Sequence, residues 1–154
     1  NLMGGRISGA GTGRIVVHGV KKLGGCVYTP MPDRIVTGTF MMLCAACGGE
    51  LKIKNAIPEH NTALIGKLKD SCVDVLKLED GIHIIAKQRP NSAHFVETMP
   101  YPGFPTDLQS PMMSLQAVSQ GTSVIIENVF ETSPNFCLDM YKQIESPNIN
   151  KLIL

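Results

Sequence analysis

The chain has 154 residues, of which 44% are hydrophobic, only 5% aromatic and none Trp, and its formal net charge is +1. That apolar share excludes a disordered chain and suits one domain or two small subdomains with a core of Leu, Ile, Val, Met and Ala. The near-neutral balance excludes a nucleic-acid or acidic-membrane surface as main partner, and no run reaches the roughly 18 apolar residues of a membrane helix.

The opening "NLMGG" lacks the basic start and apolar stretch of a signal peptide. It leads at once into "RISGAGTGRIVVHGV", which reads as the end of a unit, and the chain closes on "NKLIL" without a cap. Together these ends read as a piece of something longer. "GAGTGR" (9–14) precedes a strand over 14–20 instead of opening a helix, so a tight turn is expected there and not a phosphate cradle. Residues 24–38, with two prolines and three glycines, read as a linker. Within it, Arg34 follows Asp33, and two roles fit: an ion pair between these neighbours, or a fixed guanidinium lining a cleft for an anionic ligand.

A buried helix is expected over 39–47, stopped by Gly48-Gly49. It carries Cys44 and Cys47 at redox-motif spacing, but at the helix end, where the dipole does not lower a thiol pKa; both read as buried structural cysteines. A strand over 50–56 follows, with Leu51, Ile53 and Asn55 on one face. A helix over 60–72 has the stripe Leu64, Ile65, Leu68 and Cys72, with Asn61 or Thr62 as cap. Residues 73–78 and 82–87 alternate across Asp80-Gly81 as a hairpin, and 93–99 adds a strand. His18, His60, His83 and His94 are scattered, and no metal or cofactor site is nominated. The five cysteines, an odd set in apolar or strand-like settings, suit reduced thiols in the cytoplasm.

The next stretch is "PYPGFPTDLQSP". Pro100, Pro102, Pro105 and Pro111 restrict the backbone around one acid, Asp107, just ahead of a helix that Ser110-Pro111 would start. An acid there favours the positive helix end by about 0.3–1 kcal/mol. It also suits a preorganised acceptor for a substrate hydroxyl. A strand over 123–130 and a poor helix over 134–144 complete the chain. The two blocks superimpose at an offset of 73, with Gly48 on Gly121, Ile53 on Ile126, Asn55 on Asn128 and Leu64 on Cys137. That period implies stacked copies of one α/β unit.

In order and spacing, "PDRIVTGTF", "GGELKIKNAIPEH", "YPGFPTDLQ" and "GTSVIIENVFE" resemble the UDP-N-acetylglucosamine enolpyruvyl transferase family over about residues 4–131. The resemblance implies an α/β fold of βαβαββ subdomain repeats in an inverted α/β barrel, here incomplete. Residues 1–31 would end the first domain, 32–100 form one subdomain, and 101–154 begin another. It implies transfer of enolpyruvate from phosphoenolpyruvate to the 3-hydroxyl of UDP-N-acetylglucosamine in peptidoglycan synthesis, without a cofactor. In this frame Asp107 faces that hydroxyl and takes its proton, Val129 touches the nucleotide sugar through its backbone, and Arg34 lies in an interdomain strand near the cleft. The expected partners are the two substrates and either the missing remainder of the enzyme or another copy. Several positions depart from the family. It has Glu at Val36 and Asn-Arg at Thr132-Ser133, Pro111 is unusual, and the reactive cysteine loop has no counterpart. The chain alone is therefore expected to be inactive, and the alternative is a non-catalytic remnant or interaction module.

Overall fold

Asp33 sets the start of the first long helix. Its carboxylate accepts from the backbone N–H groups of Ile35 (2.7 Å) and Val36 (3.2 Å), satisfying two of the donors that every helix start leaves open. Helix α1 therefore runs Arg34–Cys47. The linker expected over 24–38 is too long, because 34–38 are helical once the Asp33 cap overrides the breaker content. The structure, a computed structural model, describes residues 1–130 and 152–153. The helix expected over 134–144, and the positions Thr132, Ser133 and Cys137, lie outside them. The chain divides into two units, Asn1–Met31 and Pro32–Leu154.

In the first unit, β1 (Arg6–Ser8) pairs antiparallel with β2 (Val16–His18), Arg6 opposite His18. The intervening glycine-rich stretch is the expected turn. The Thr12 N–H and hydroxyl both donate to the Gly9 carbonyl, at 3.1 and 2.7 Å. Gly9 has φ +77, and a Cβ there would collide with the Arg14 carbonyl, so only glycine fits. The strand itself is shorter than the 14–20 expected.

The second unit continues from α1 through β3 (Gly49–Lys54), a 3₁₀ turn at Pro58–Asn61, and α2 (Thr62–Asp70). Then come β4 (Asp74–Leu78), β5 (Gly81–Ala86) and β6 (Phe95–Glu97). A second 3₁₀ turn, Thr106–Leu108, leads into α3 (Gln109–Val118), followed by β7 (Ser123–Ile126) and β8 (Leu152–Ile153). Strands β3, β5 and β4 form an antiparallel sheet in that order, with the β4–β5 hairpin closing Leu78 onto Gly81. Strands β6, β7 and β8 form a parallel sheet. This mixture is α/β, and no closed barrel forms among the described residues.

One core serves both sheets. Met41 and Met42 of α1, Leu64 and Leu68 of α2, Ile82 and Ile84 of β5, Val96 of β6, Met112 and Leu115 of α3 and Ile125 of β7 all join it. The helices cover one face of each sheet, so β5 buries Ile82, Ile84 and Ala86 and leaves His83 and Ile85 half-exposed, the period-2 pattern of a one-sided sheet. Gly38 marks a close approach of α1 to its neighbours, since a Cβ there would lie 2.6 Å from Leu108 Cδ1 and 3.0 Å from Leu64 Cδ2.

Several local expectations change. Leu64, Ile65 and Leu68 are buried as the stripe requires, but Cys72 lies past the end of α2, exposed, with φ 61. Asn61 precedes α2 without a side-chain capping bond. Asn55 leaves β3 at φ 57, while Leu51 and Ile53 are half-buried as expected. Cys44 is buried, but Cys47, at the C-terminal end of the helix, is exposed. The 73-residue offset places β3 on β7 and α1 on α3, with Gly48 (φ 76) and Gly121 (φ 107) both left-handed between helix and strand.

Candidate functional site

The proline-rich segment closes on itself before it reaches Asp107. Thr98 N–H donates to Ile126 O (2.9 Å), Met99 N–H to Phe104 O (2.8 Å) and Gly103 N–H to Pro100 O (2.8 Å). Gly103 is pressed into this loop, where a Cβ would lie 2.5 Å from Met99 Cβ. Pro105 then sits extended (φ −73, ψ 138) and the chain turns into the 3₁₀ segment. Leu108 is fully buried and anchors that segment, while its neighbour Asp107 is exposed. Among the described residues nothing is bonded to the Asp107 carboxylate.

Asp107 thus stands inside a 3₁₀ turn just ahead of α3, which begins at Gln109, within one residue of the start expected at Ser110-Pro111. Pro111 falls in the first turn of α3, where its missing N–H costs little. The strand expected over 123–130 also ends sooner, at Ile126, and Val129 lies in the turn beyond it, 41% exposed.

Arg34 is the first residue of α1, so its expected place in an interdomain strand is corrected. The ion pair with Asp33 is not formed, because that carboxylate is used by the helix start. The Arg34 guanidinium instead lies over the Tyr101 ring, 5.5 Å from its centroid. Such contacts contribute about 0.5–1 kcal/mol at exposed sites. Here the contact ties α1 to the proline-rich loop.

Sequence reading passed over the group that joins these parts, Glu127. Its Oε1 accepts from Val129 N–H (2.7 Å), Thr98 Oγ1 (2.8 Å) and Phe130 N–H (3.2 Å), and its Oε2 from Thr106 Oγ1 (2.8 Å). Partial burial pushes the carboxyl up, but the bonds from Val129, Thr98, Thr106 and Phe130 outweigh it and hold Glu127 below the usual carboxylate range. Asn128 completes the turn, its side chain donating to Glu97 Oε1 (2.7 Å) and its N–H to Thr98 Oγ1 (2.9 Å). No local signal marked it, since its threonine donors lie 29 and 21 residues away along the chain.

Neither the Cys44 thiol nor the groove of the first unit shares a residue with this cluster. Burial, then the nearby Cys47 and Glu50, push the Cys44 thiol up, which makes it a poor nucleophile. An open groove of about 520 Å³ in the first unit is lined by residues such as Leu2, Ile7, Leu23 and Tyr28 and by none of the candidates. Among the described residues, no His, Cys, Asp and Glu group is arranged for a metal, and no helix is long and apolar enough to cross a membrane.

The sequence matches the EPSP synthase (3-phosphoshikimate 1-carboxyvinyltransferase) family over residues 1–142. It is 49% identical over 132 residues to a UDP-N-acetylglucosamine 1-carboxyvinyltransferase of Desulfofundulus thermocisternus, covering 85% of this chain and 54% of that protein. A protein of the same name from Geobacter metallireducens is 47% identical over 131 residues, 85% of this chain and 31% of its own length. One from Caldanaerobacter subterraneus, with "2" added to that name, is 45% identical with the same coverage. The chain therefore spans between about a third and a half of these relatives.

Proposed function

The chain belongs to the EPSP synthase family, and from that premise we propose that it carries the acceptor-sugar side of an enolpyruvyl transferase site acting on UDP-N-acetylglucosamine and phosphoenolpyruvate. The observation that carries the reading is Asp107, an exposed carboxylate without a bonded partner among the described residues, held on a turn whose neighbours are fixed. Asp107 takes the proton of the sugar 3-hydroxyl as that oxygen adds to C2 of phosphoenolpyruvate and C3 takes up a proton; loss of a C3 proton together with phosphate then restores the double bond. A carboxylate performs this role when it lies about 2.6–3.2 Å from the hydroxyl. The Val129 N–H is spent on Glu127, so the backbone group it offers the nucleotide sugar is its carbonyl. Arg34, its guanidinium held over Tyr101, is assigned to substrate phosphate as a positive charge.

The names of the relatives support UDP-N-acetylglucosamine as acceptor in place of 3-phosphoshikimate. The free thiols Cys26, Cys44, Cys47 and Cys72 support a cytoplasmic setting. Val36, Phe40 and Leu43 form a half-exposed apolar stripe on α1, which supports cover by further enzyme sequence or another copy. A second reading, a non-catalytic remnant or interaction module, is favoured by Ser133 standing where the family carries Arg. Titration of UDP-N-acetylglucosamine into this chain and into Asp107→Asn separates the two. The transferase reading expects saturable binding that the substitution weakens about tenfold; equal affinity, or none in either, overturns it.

A further inference from the structure

We propose that Glu127 is the positioning residue of the acceptor-sugar site, its single carboxylate holding the Asp107 turn and the Val129 backbone in one arrangement. The proposal rests on the acceptor reading above. Its four donors come from three separate segments: the end of β6 (Thr98), the 3₁₀ turn (Thr106) and the turn after β7 (Val129 and Phe130). Three are adjacent to, or identical with, the residues assigned to the sugar: Thr106 precedes Asp107, Val129 donates its own N–H, and Phe130 follows it.

The chemistry of the group matters. An ionised carboxylate is acceptor-only on both oxygens, so Oε2 serves the Thr106 hydroxyl while Oε1 serves the Thr98 hydroxyl and two backbone N–H groups. The Thr98 hydroxyl cannot swing away, because it is fully buried and accepts from Asn128 N–H (2.9 Å) while donating to Glu127. The free variable is the 3₁₀ turn, and the Thr106 hydroxyl fastens it to Glu127 Oε2. Without that bond the turn keeps its buried anchor, Leu108, but loses its register against Val129. A displacement on the order of 1 Å is enough to spoil a preorganised contact.

The test uses this chain with Thr106→Val, Thr106→Ser, Glu127→Ala and Asp107→Asn, each titrated with UDP-N-acetylglucosamine below its own melting temperature. Amide exchange at Val129 and Ile84 is followed alongside. The expected result is a loss of affinity of about tenfold in Thr106→Val and at least as much in Glu127→Ala. Thr106→Ser, which keeps the hydroxyl, restores the affinity, and Ile84 stays protected throughout. A merely structural role lowers the melting temperature of Thr106→Val and leaves its affinity unchanged. That result, with Asp107→Asn still impaired, overturns the positioning role and spares the acceptor reading. Full affinity in Asp107→Asn, or no binding by the unaltered chain, overturns the acceptor reading and this role with it.

Discussion

Glu127 connects local chemistry to a measurable pH response. Its folded value lies below the ordinary glutamate range because four bonds outweigh partial burial. A carboxyl depressed on folding adds stability above its unfolded value and loses it as pH falls through the folded one. The account therefore predicts a stability contribution intact at neutral pH and shed in acid, below the ordinary glutamate range. Thermal unfolding across that range should show a shallower acid decline in Glu127→Gln than in the unaltered chain. Identical slopes would place the carboxylate outside the network. None of this was readable from the sequence, since the threonine donors lie 29 and 21 residues away along the chain and only the fold brings them together. Asp107 stands out as a candidate for the opposite reason, because four nearby prolines mark it locally. Arg34 was legible as a candidate, but its Tyr101 partner and its helical setting were not.

Among the elements, two helix glycines give a prediction of opposite sign. Gly66 in α2 is exposed, and a Cβ there meets nothing within 4 Å, so Gly66→Ala should stabilise by about 0.5–1 kcal/mol through helix propensity. Gly38 in α1 faces Leu108 and Leu64, which are fully buried and have no space to retreat. Overpacking costs about 1–3 kcal/mol, so Gly38→Ala should destabilise despite the same propensity gain. Denaturant midpoints of the two variants check this, and stabilisation by both would mean that α1 does not approach the 3₁₀ turn so closely. The β4–β5 hairpin was legible because alternation and Asp80-Gly81 agree. The start of α1 was not, because one capping acid overrode proline and glycine signals that suggested a linker. The start of α3 was legible to within one residue from Ser110-Pro111, whereas the 3₁₀ turn ahead of it, anchored by the buried Leu108, was not.

On the scale of the whole molecule, the two units should differ in stability. The β1–β2 ribbon has only two short strands, with Ile7 39% and Val17 67% exposed, whereas Ile84 in the second unit is fully buried. An isolated two-stranded ribbon is marginal in water. Amide exchange at Val17 should therefore exceed that at Ile84 by roughly a thousandfold, and matching rates would contradict the division. The α/β class and the repeated helix–glycine–strand order were legible because they rest on local periodicity. The β6–β7 pairing was not, since it is set by contacts across the proline-rich loop. Function hangs on whether Asp107 meets a sugar hydroxyl, and a chemical double-mutant cycle asks this directly. UDP-N-acetylglucosamine and its 3-deoxy analogue are each titrated into the chain and into Asp107→Asn. The account predicts that removing the hydroxyl weakens binding about tenfold in the unaltered chain and hardly at all in the variant; equal losses in both would show that the carboxylate and the hydroxyl do not meet.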